Sequence, residues 1–276
     1  MNVRAPVVSG SFYPGTAKDI HSLIERILSG EKKKIDYSLA EKNIIGCVVP
    51  HAGYVYSAYE AVHFFDLIRK SSVQYDTFVI INPNHTGYGA AIEVDSHDAW
   101  STPLGKVEID KEFTDQLDLP VDTIAQSQEH SAEVILPFLQ KMLSYTFKIV
   151  PVSMLRQNPD NALKLAQKIK QARENLDRKI MVIASSDFSH FESPAEGETK
   201  DNLVLEQIRA LNTHKLYETV IKNRISVCGY GPIMTLIEYS KLMEMDTRST
   251  ILARGNSGKT RPSDSVVDYI TILFHS

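Results

Sequence analysis

Ile180-Met181-Val182-Ile183-Ala184-Ser185-Ser186-Asp187-Phe188-Ser189-His190 opens with five apolar residues and closes on an acid and a base three positions apart. A short continuous apolar run of this kind reads as a strand buried on both faces, as in a parallel sheet. Two other stretches have the same layout. Ile44-Ile45-Gly46-Cys47-Val48-Val49-Pro50 is followed by His51, and Thr77-Phe78-Val79-Ile80-Ile81-Asn82-Pro83-Asn84 is followed by His85. In an open α/β sheet the carboxyl ends of parallel strands share one edge, where ligands usually bind. Residues far apart in sequence can therefore meet there.

Helical patterns alternate with these strands. We expect helices over Ala17 to Leu28, Tyr54 to Arg69, Ser131 to Leu143, Pro159 to Asn175, Asn202 to Leu211, Leu216 to Lys222 and Ile233 to Met245. Asn158-Pro159 is a strong start signal, because Asn caps the first turn and Pro at the first helical position sacrifices no intrahelical bond. Strands are expected near 44–49, 77–82, 90–95, 147–153, 179–185, 248–254 and 266–274, the last two as an antiparallel pair at the sheet edge. The pattern predicts an α/β fold, a single domain spanning 1–276 whose central, mostly parallel sheet is flanked by helices.

Composition narrows the function classes. The chain has 276 residues, 43% of them hydrophobic, and no stretch resembling an interdomain linker. A formal charge of −4 gives no electrostatic footprint for nucleic acid, and Lys32-Lys33-Lys34 is too short to change that. With two cysteines, no apolar run of about 18 residues and no signal peptide, the expectation is a soluble, reduced, cytoplasmic protein with neither a membrane nor a nucleic-acid partner. Ala253-Arg254-Gly255-Asn256-Ser257-Gly258-Lys259-Thr260 ends like a phosphate-binding loop. Its leading glycine is absent, however, and Arg261-Pro262 stands where a helix should begin, so a nucleotide site is not expected.

Cys47 falls inside an apolar strand, where a free cysteine behaves as a small hydrophobe. Cys228 differs. It lies in Val227-Cys228-Gly229-Tyr230-Gly231-Pro232, a turn opening onto a helical run, where the helix dipole would favour a thiolate. Imidazoles and a thiolate gathered on one edge suggest first of all a metal site. Asp187 near His190 can orient an imidazole and raise its basicity, and Glu129-His130 forms a further acid/base pair at a helix start. Each has a plainer reading as a capping carboxylate beside a solvated histidine. His21, His63, His97, His214 and His275 are assigned to structure or solvent.

The motifs taken together resemble the Memo family, whose fold is similar to that of the class III extradiol (LigB-type) ring-opening dioxygenases. The matching stretches are Ser9-Gly10-Ser11-Phe12-Tyr13-Pro14, Pro50-His51-Ala52-Gly53-Tyr54-Val55-Tyr56-Ser57, Asn82-Pro83-Asn84-His85 and Trp100-Ser101-Thr102-Pro103-Leu104-Gly105. Glu129-His130-Ser131-Ala132-Glu133, Ser185-Ser186-Asp187-Phe188-Ser189-His190 and Cys228-Gly229-Tyr230-Gly231-Pro232 follow in order. The resemblance implies that His51, His85 and Cys228 line the pocket that holds iron in the dioxygenases, with Asp187, His190 and His130 around it. Those enzymes bind Fe(II) through two histidines and a glutamate, and Cys228 stands where the glutamate would be expected.

A thiolate is softer than a carboxylate and moves the preference toward Cu(I), zinc or a differently tuned iron. The expected cofactor is therefore one mononuclear metal ion, iron or copper ahead of zinc, in an oxygen- or redox-dependent enzyme. His190 would move protons, Asp187 would orient it or complete the set of metal ligands, and His130 would polarise the substrate or oxygen. A peptide- or protein-binding module that retains the pocket and a metal-dependent hydrolase are the alternatives. The expected partner is a small molecule or peptide, and the resemblance adds a radical-SAM partner system, which accompanies prokaryotic members.

Overall fold

The computed structural model describes residues 1–276. The chain begins with Val3–Arg4 (β1) and Ala17–Glu31 (α1), then enters the main sheet with Ile44–Val49 (β2). Tyr54–Lys70 (α2), Thr77–Pro83 (β3), Ile92–Asp95 (β4), Ala99–Thr102 (β5), Gly105–Glu108 (β6), Lys111–Gln116 (α3) and Val121–Asp122 (β7) follow. Leu136–Met142 (α4), Lys148–Met154 (β8), Pro159–Leu176 (α5), Ile180–Ser185 (β9), His190–Glu192 (β10), Pro194–Arg209 (α6), Thr213–Lys222 (α7) and Tyr230–Leu242 (α8) come next. Arg248–Asn256 (β11) and Val266–His275 (β12) end the chain.

The main sheet runs β10-β12-β2-β9-β3-β8-β4-β7, with β11 paired on β12. Its centre, β2-β9-β3-β8, is parallel throughout. Antiparallel pairing appears at both flanks, where β12 meets β2 and β11 and where β4 meets β8. The α/β architecture with a mostly parallel centre therefore matches the sequence pattern, as does the antiparallel partnership of the last two strands. Every residue of β2, β3 and β9 is buried, which explains why these runs are continuously apolar.

Alternation along the central strands divides the core into two layers. Cys47, Val49, Phe78, Ile80, Met181 and Ile183 pack with residues of α1, α2 and α4. Val48, Val79, Ile81, Val182 and Ala184 pack on the other face with α5 to α8. Helices on both faces leave the carboxyl ends of the parallel strands facing one edge, and this edge holds His51, His85 and Asp187.

Local differences have physical causes. The expected helix over Ser131 to Leu143 is a 3₁₀ turn at Glu133–Ile135 followed by the shorter α4. The Asn202 to Leu211 helix begins earlier, at Pro194, because Ser193 caps the Glu196 amide. Asn158 caps α5 as expected, its side chain accepting from the Asn161 amide at 2.8 Å. The phosphate-loop mimic is the end of β11 and a single 3₁₀ turn, Ser257–Lys259, with no helix behind it. A separate sheet, β1-β5-β6, and α3 had no counterpart in the pattern reading. No helix is long and apolar enough to cross a membrane.

Candidate metal centre

His51 leaves β2 almost completely buried, at 2% exposure. Its Nδ1 lies 2.8 Å from Ser185 Oγ, and that hydroxyl donates to the Ser131 carbonyl at 2.6 Å. Because the only proton of Ser185 Oγ is committed to Ser131, the oxygen accepts from His51, so Nδ1 carries the proton and the lone pair is on Nε2. Burial, followed by the neighbouring His85 and His130, holds the His51 pKa well below the ordinary imidazole value. His51 is therefore a neutral ring with Nε2 free to ligate.

His85 is held by a charge instead of a hydroxyl. Glu129 is fully buried and accepts from His85 Nδ1 at 3.0 Å and from the His85 amide at 2.6 Å. Burial opposes a charge on the His85 ring, but the hydrogen bond and charge of Glu129 outweigh it and raise the pKa. Glu129 moves the opposite way: against burial, its His85 partner and the backbone amides hold it well below the carboxylate range. Its Oε1 also receives the His130 and Ser131 amides and the Ser131 hydroxyl at 2.7 to 3.0 Å. A carboxylate with so many donors serves as the orienting partner of a histidine, leaving His85 Nε2 outward.

Cys228 reaches this edge because Gly229 follows it. A Cβ at Gly229 would fall 2.3 Å from the Ser185 carbonyl oxygen and 2.6 Å from Ser186 Cβ, so only glycine lets the turn approach β9 this closely. Gln157, which the sequence reading passed over, clamps the same turn through the Cys228 carbonyl at 2.8 Å and the Gly231 amide at 2.6 Å. Cys228 Sγ sits 3.2 Å from His51 Nε2 and receives the Asp187 amide at 3.2 Å. The expected thiolate at the helix start is not what this environment favours. Burial, then the Asp187 carboxylate, push the thiol well above its ordinary value, so ionisation needs a bound cation.

The ligand atoms of His51, His85 and Cys228 all lie within 4.8 Å of one another. His85, Glu129 and His130 form a second group within the same limit, but Glu129 is already spent on hydrogen bonds. The first group fits a single ion: two imidazole lone pairs and one sulfur, with the Nδ1 of each ring tied to a protein acceptor.

The other three site residues also gather here, with one change of role. Asp187 does not orient His190. Its Oδ1 accepts the His51 amide at 2.8 Å, while His190 Nδ1 donates to the Ser226 carbonyl at 2.8 Å. A carbonyl can only accept, so His190 also carries its proton on Nδ1 and offers Nε2. The cause is the short β10, which turns the His190 backbone toward Ser226, whose hydroxyl takes the His190 amide at 2.8 Å. Burial raises the Asp187 carboxyl above its ordinary value, against the pull of that His51 amide.

The His130 ring centre lies 5.6 Å from that of His51 and 4.9 Å from that of His85. Phe12 covers it at 4.7 Å. The segment carrying Phe12 is anchored by buried Glu133, which pairs with Arg4 at 2.7 Å and accepts from Tyr13 Oη at 2.8 Å.

A family model described as Memo-like protein matches residues 4–273. The chain belongs to the Memo family. Curated members of the Memo family similar to it include a MEMO1 family protein of Archaeoglobus fulgidus, 38% identical over 275 residues and covering 99% of each chain. Another, from Methanobrevibacter smithii, is 40% identical over 283 residues, again with 99% of each chain covered. Among solved structures, an uncharacterized protein from Escherichia coli K12, JW3007, superposes with a TM-score of 0.54 at 12% identity, covering 83% of this chain and 99% of that one. That likeness shows that the Memo family chain and the Escherichia coli protein share a fold.

Proposed function

We propose that the protein is a Memo-family metalloenzyme that holds one ion on His51 Nε2, His85 Nε2 and Cys228 Sγ and carries out an oxygen- or redox-dependent reaction on a small molecule or peptide. The convergence of these ligand atoms within 4.8 Å, with each imidazole fixed from behind, carries the reading. Two imidazoles and a thiolate suit copper or iron, and zinc is the third candidate. Bound there, the ion would supply Lewis acidity and electron transfer at whatever coordination positions the protein leaves open.

The remaining roles belong to the protein's own groups. His190 Nε2 takes and returns the substrate proton, since its Nδ1 proton is tied to Ser226. His130, with Nδ1 3.4 Å from Glu129 Oε1 and its ring beside those of His51 and His85, polarises a substrate oxygen. Asp187 holds the His51 backbone and, 4.0 Å from His51 Nε2, adds negative charge beside the ion.

Metal analysis of protein purified without air, followed by an oxygen-uptake assay, tests the proposal. The expected result is about one iron or copper per chain, with uptake reduced about 10²–10⁴-fold by His190→Ala, the range for a lost acid/base group. Zinc without oxygen uptake would replace this reading with hydrolysis. Protein that neither retains nor rebinds an ion would leave a binding module.

A further inference from the structure

At the opposite edge of the sheet, where β2 and β9 begin, there is a cavity of about 220 Å³. The six residues of β2 separate it from His51 by about 20 Å at the usual rise per strand residue, so it is not part of the metal centre. Ile44, Ile45, Ile180 and Met243 form its apolar wall.

Its polar lining is Asn43, two phenols and two cationic side chains. Tyr75 and Tyr239 are buried, at 5% and 3% exposure, and neither phenol hydroxyl has a hydrogen-bond partner in the protein. Arg173, in the last turn of α5, is half-buried, and its only guanidinium hydrogen bond is to the thioether of Met243 at 3.7 Å, a weak acceptor. Lys179 lines the mouth. The ion pairs nearby are Lys170 with Glu174 and Arg178 with Glu112, which leave Arg173 and Lys179 without a carboxylate partner. No Asp or Glu lines the cavity.

We infer that this cavity is a second binding site, and that it takes a small amphiphilic carboxylate, a compact aliphatic or aromatic body bearing one anionic head. The apolar wall receives the body, and the carboxylate accepts from the two phenols and the Arg173 guanidinium and offsets the charge of Lys179. A neutral ligand of the same shape would leave the half-buried guanidinium unanswered, and a cationic one would be repelled. A cavity lined by two cationic side chains and no carboxylate favours a ligand of negative charge.

The test is calorimetric titration of metal-free protein with 4-methylpentanoate and phenylacetate, alongside 4-methylpentanamide and phenylacetamide. NMR of the Ile44, Ile180 and Met243 methyl groups reports where the probe binds. We expect saturable binding of at least one carboxylate, with its amide about ten- to a hundredfold weaker, the range for a lost hydrogen bond to a charged group. Arg173→Gln should reduce carboxylate affinity by a similar factor and leave the amide unchanged. The methyl signals should shift while those of the His51 ring do not. Absence of saturable binding at millimolar probe, equal affinity for acid and amide, or shifts confined to His51 would each overturn the inference. The acid-to-amide ratio in the unaltered chain keeps the test valid even if Arg173→Gln folds poorly.

Discussion

The two imidazoles of the proposed centre are held in opposite ways. His51 is backed by an uncharged relay, Nδ1 to Ser185 Oγ to the Ser131 carbonyl, and His85 by a fully buried carboxylate. The relay keeps a desolvated ring neutral, and the carboxylate gives its ring charge-assisted support and a more basic Nε2. Ser131 links the two arms, because its carbonyl ends one and its hydroxyl donates to Glu129 at 2.7 Å in the other. An ion bound between them would meet one weak and one strong nitrogen donor.

The largest expected effect comes from breaking the charged arm. Glu129 is buried and His85 is partly exposed, so Glu129→Ala chiefly strands the His85, His130 and Ser131 amides and the Ser131 hydroxyl; it should cost about 3 kcal/mol or more in urea unfolding, at about 1–3 kcal/mol for each buried donor left without an acceptor. A loss under about 1 kcal/mol would mean that the two arms do not differ. Glu129→Gln keeps an acceptor and should lower metal affinity by about 10–100-fold, as for lost second-sphere carboxylates.

Ser185→Ala breaks the neutral arm and leaves the His51 Nδ1 proton unpaired. We expect a smaller loss of about 1–3 kcal/mol. Nitrogen NMR of the wild-type protein should show His51 as the Nδ1–H tautomer, and observation of Nε2–H would refute the relay.

The arms should also titrate with opposite slopes in metal-free protein. His85 is raised in the fold, so its contribution is complete below the unfolded imidazole value of about 6.5 and is lost as pH rises through the folded value. His51 is depressed, so its contribution is present above about 6.5 and is lost as pH falls toward the folded value. Unfolding free energy measured from pH 5 to 9 should lose its acid-side fall in His51→Gln and its alkaline-side fall in Glu129→Gln. Unchanged profiles in both variants would contradict these assignments.

Part of this arrangement was legible in the chain and part was not. Continuous apolar runs placed His51, His85 and Asp187 at one edge, because parallel strands buried on both faces have that signature. The Gly229 turn marked Cys228. The same kind of start signal that located α5 at Asn158-Pro159 was present at Ser193-Pro194, where α6 in fact begins. The relay through Ser185 and Ser131 joins positions 54 residues apart, and the His85–Glu129 pair joins positions 44 apart. Such contacts leave no periodic trace, so Glu129 read only as a neighbour of His130. Adjacency in sequence likewise made Asp187 look like the partner of His190, when the turn into β10 directs that ring to Ser226. The helix dipole suggested an acidic thiol at Cys228, and burial beside Asp187 outweighs it.

The smallest predicted effect is a control for the comparison. Asn158→Ala removes the α5 cap and should cost about 1 kcal/mol of stability, with metal affinity unchanged. A fall in affinity comparable to that of Glu129→Gln would show that the site responds to general loosening rather than to its own two arms.

X-ray absorption on the metal-loaded, anaerobically handled protein tests the single mixed-donor centre most directly. The account predicts one ion per chain with one sulfur scatterer near ~2.3 Å and imidazole nitrogens near ~2.0–2.1 Å, as for zinc-like ions, and loss of the sulfur shell in Cys228→Ser. A first shell of nitrogen and oxygen alone in the unaltered protein would contradict it.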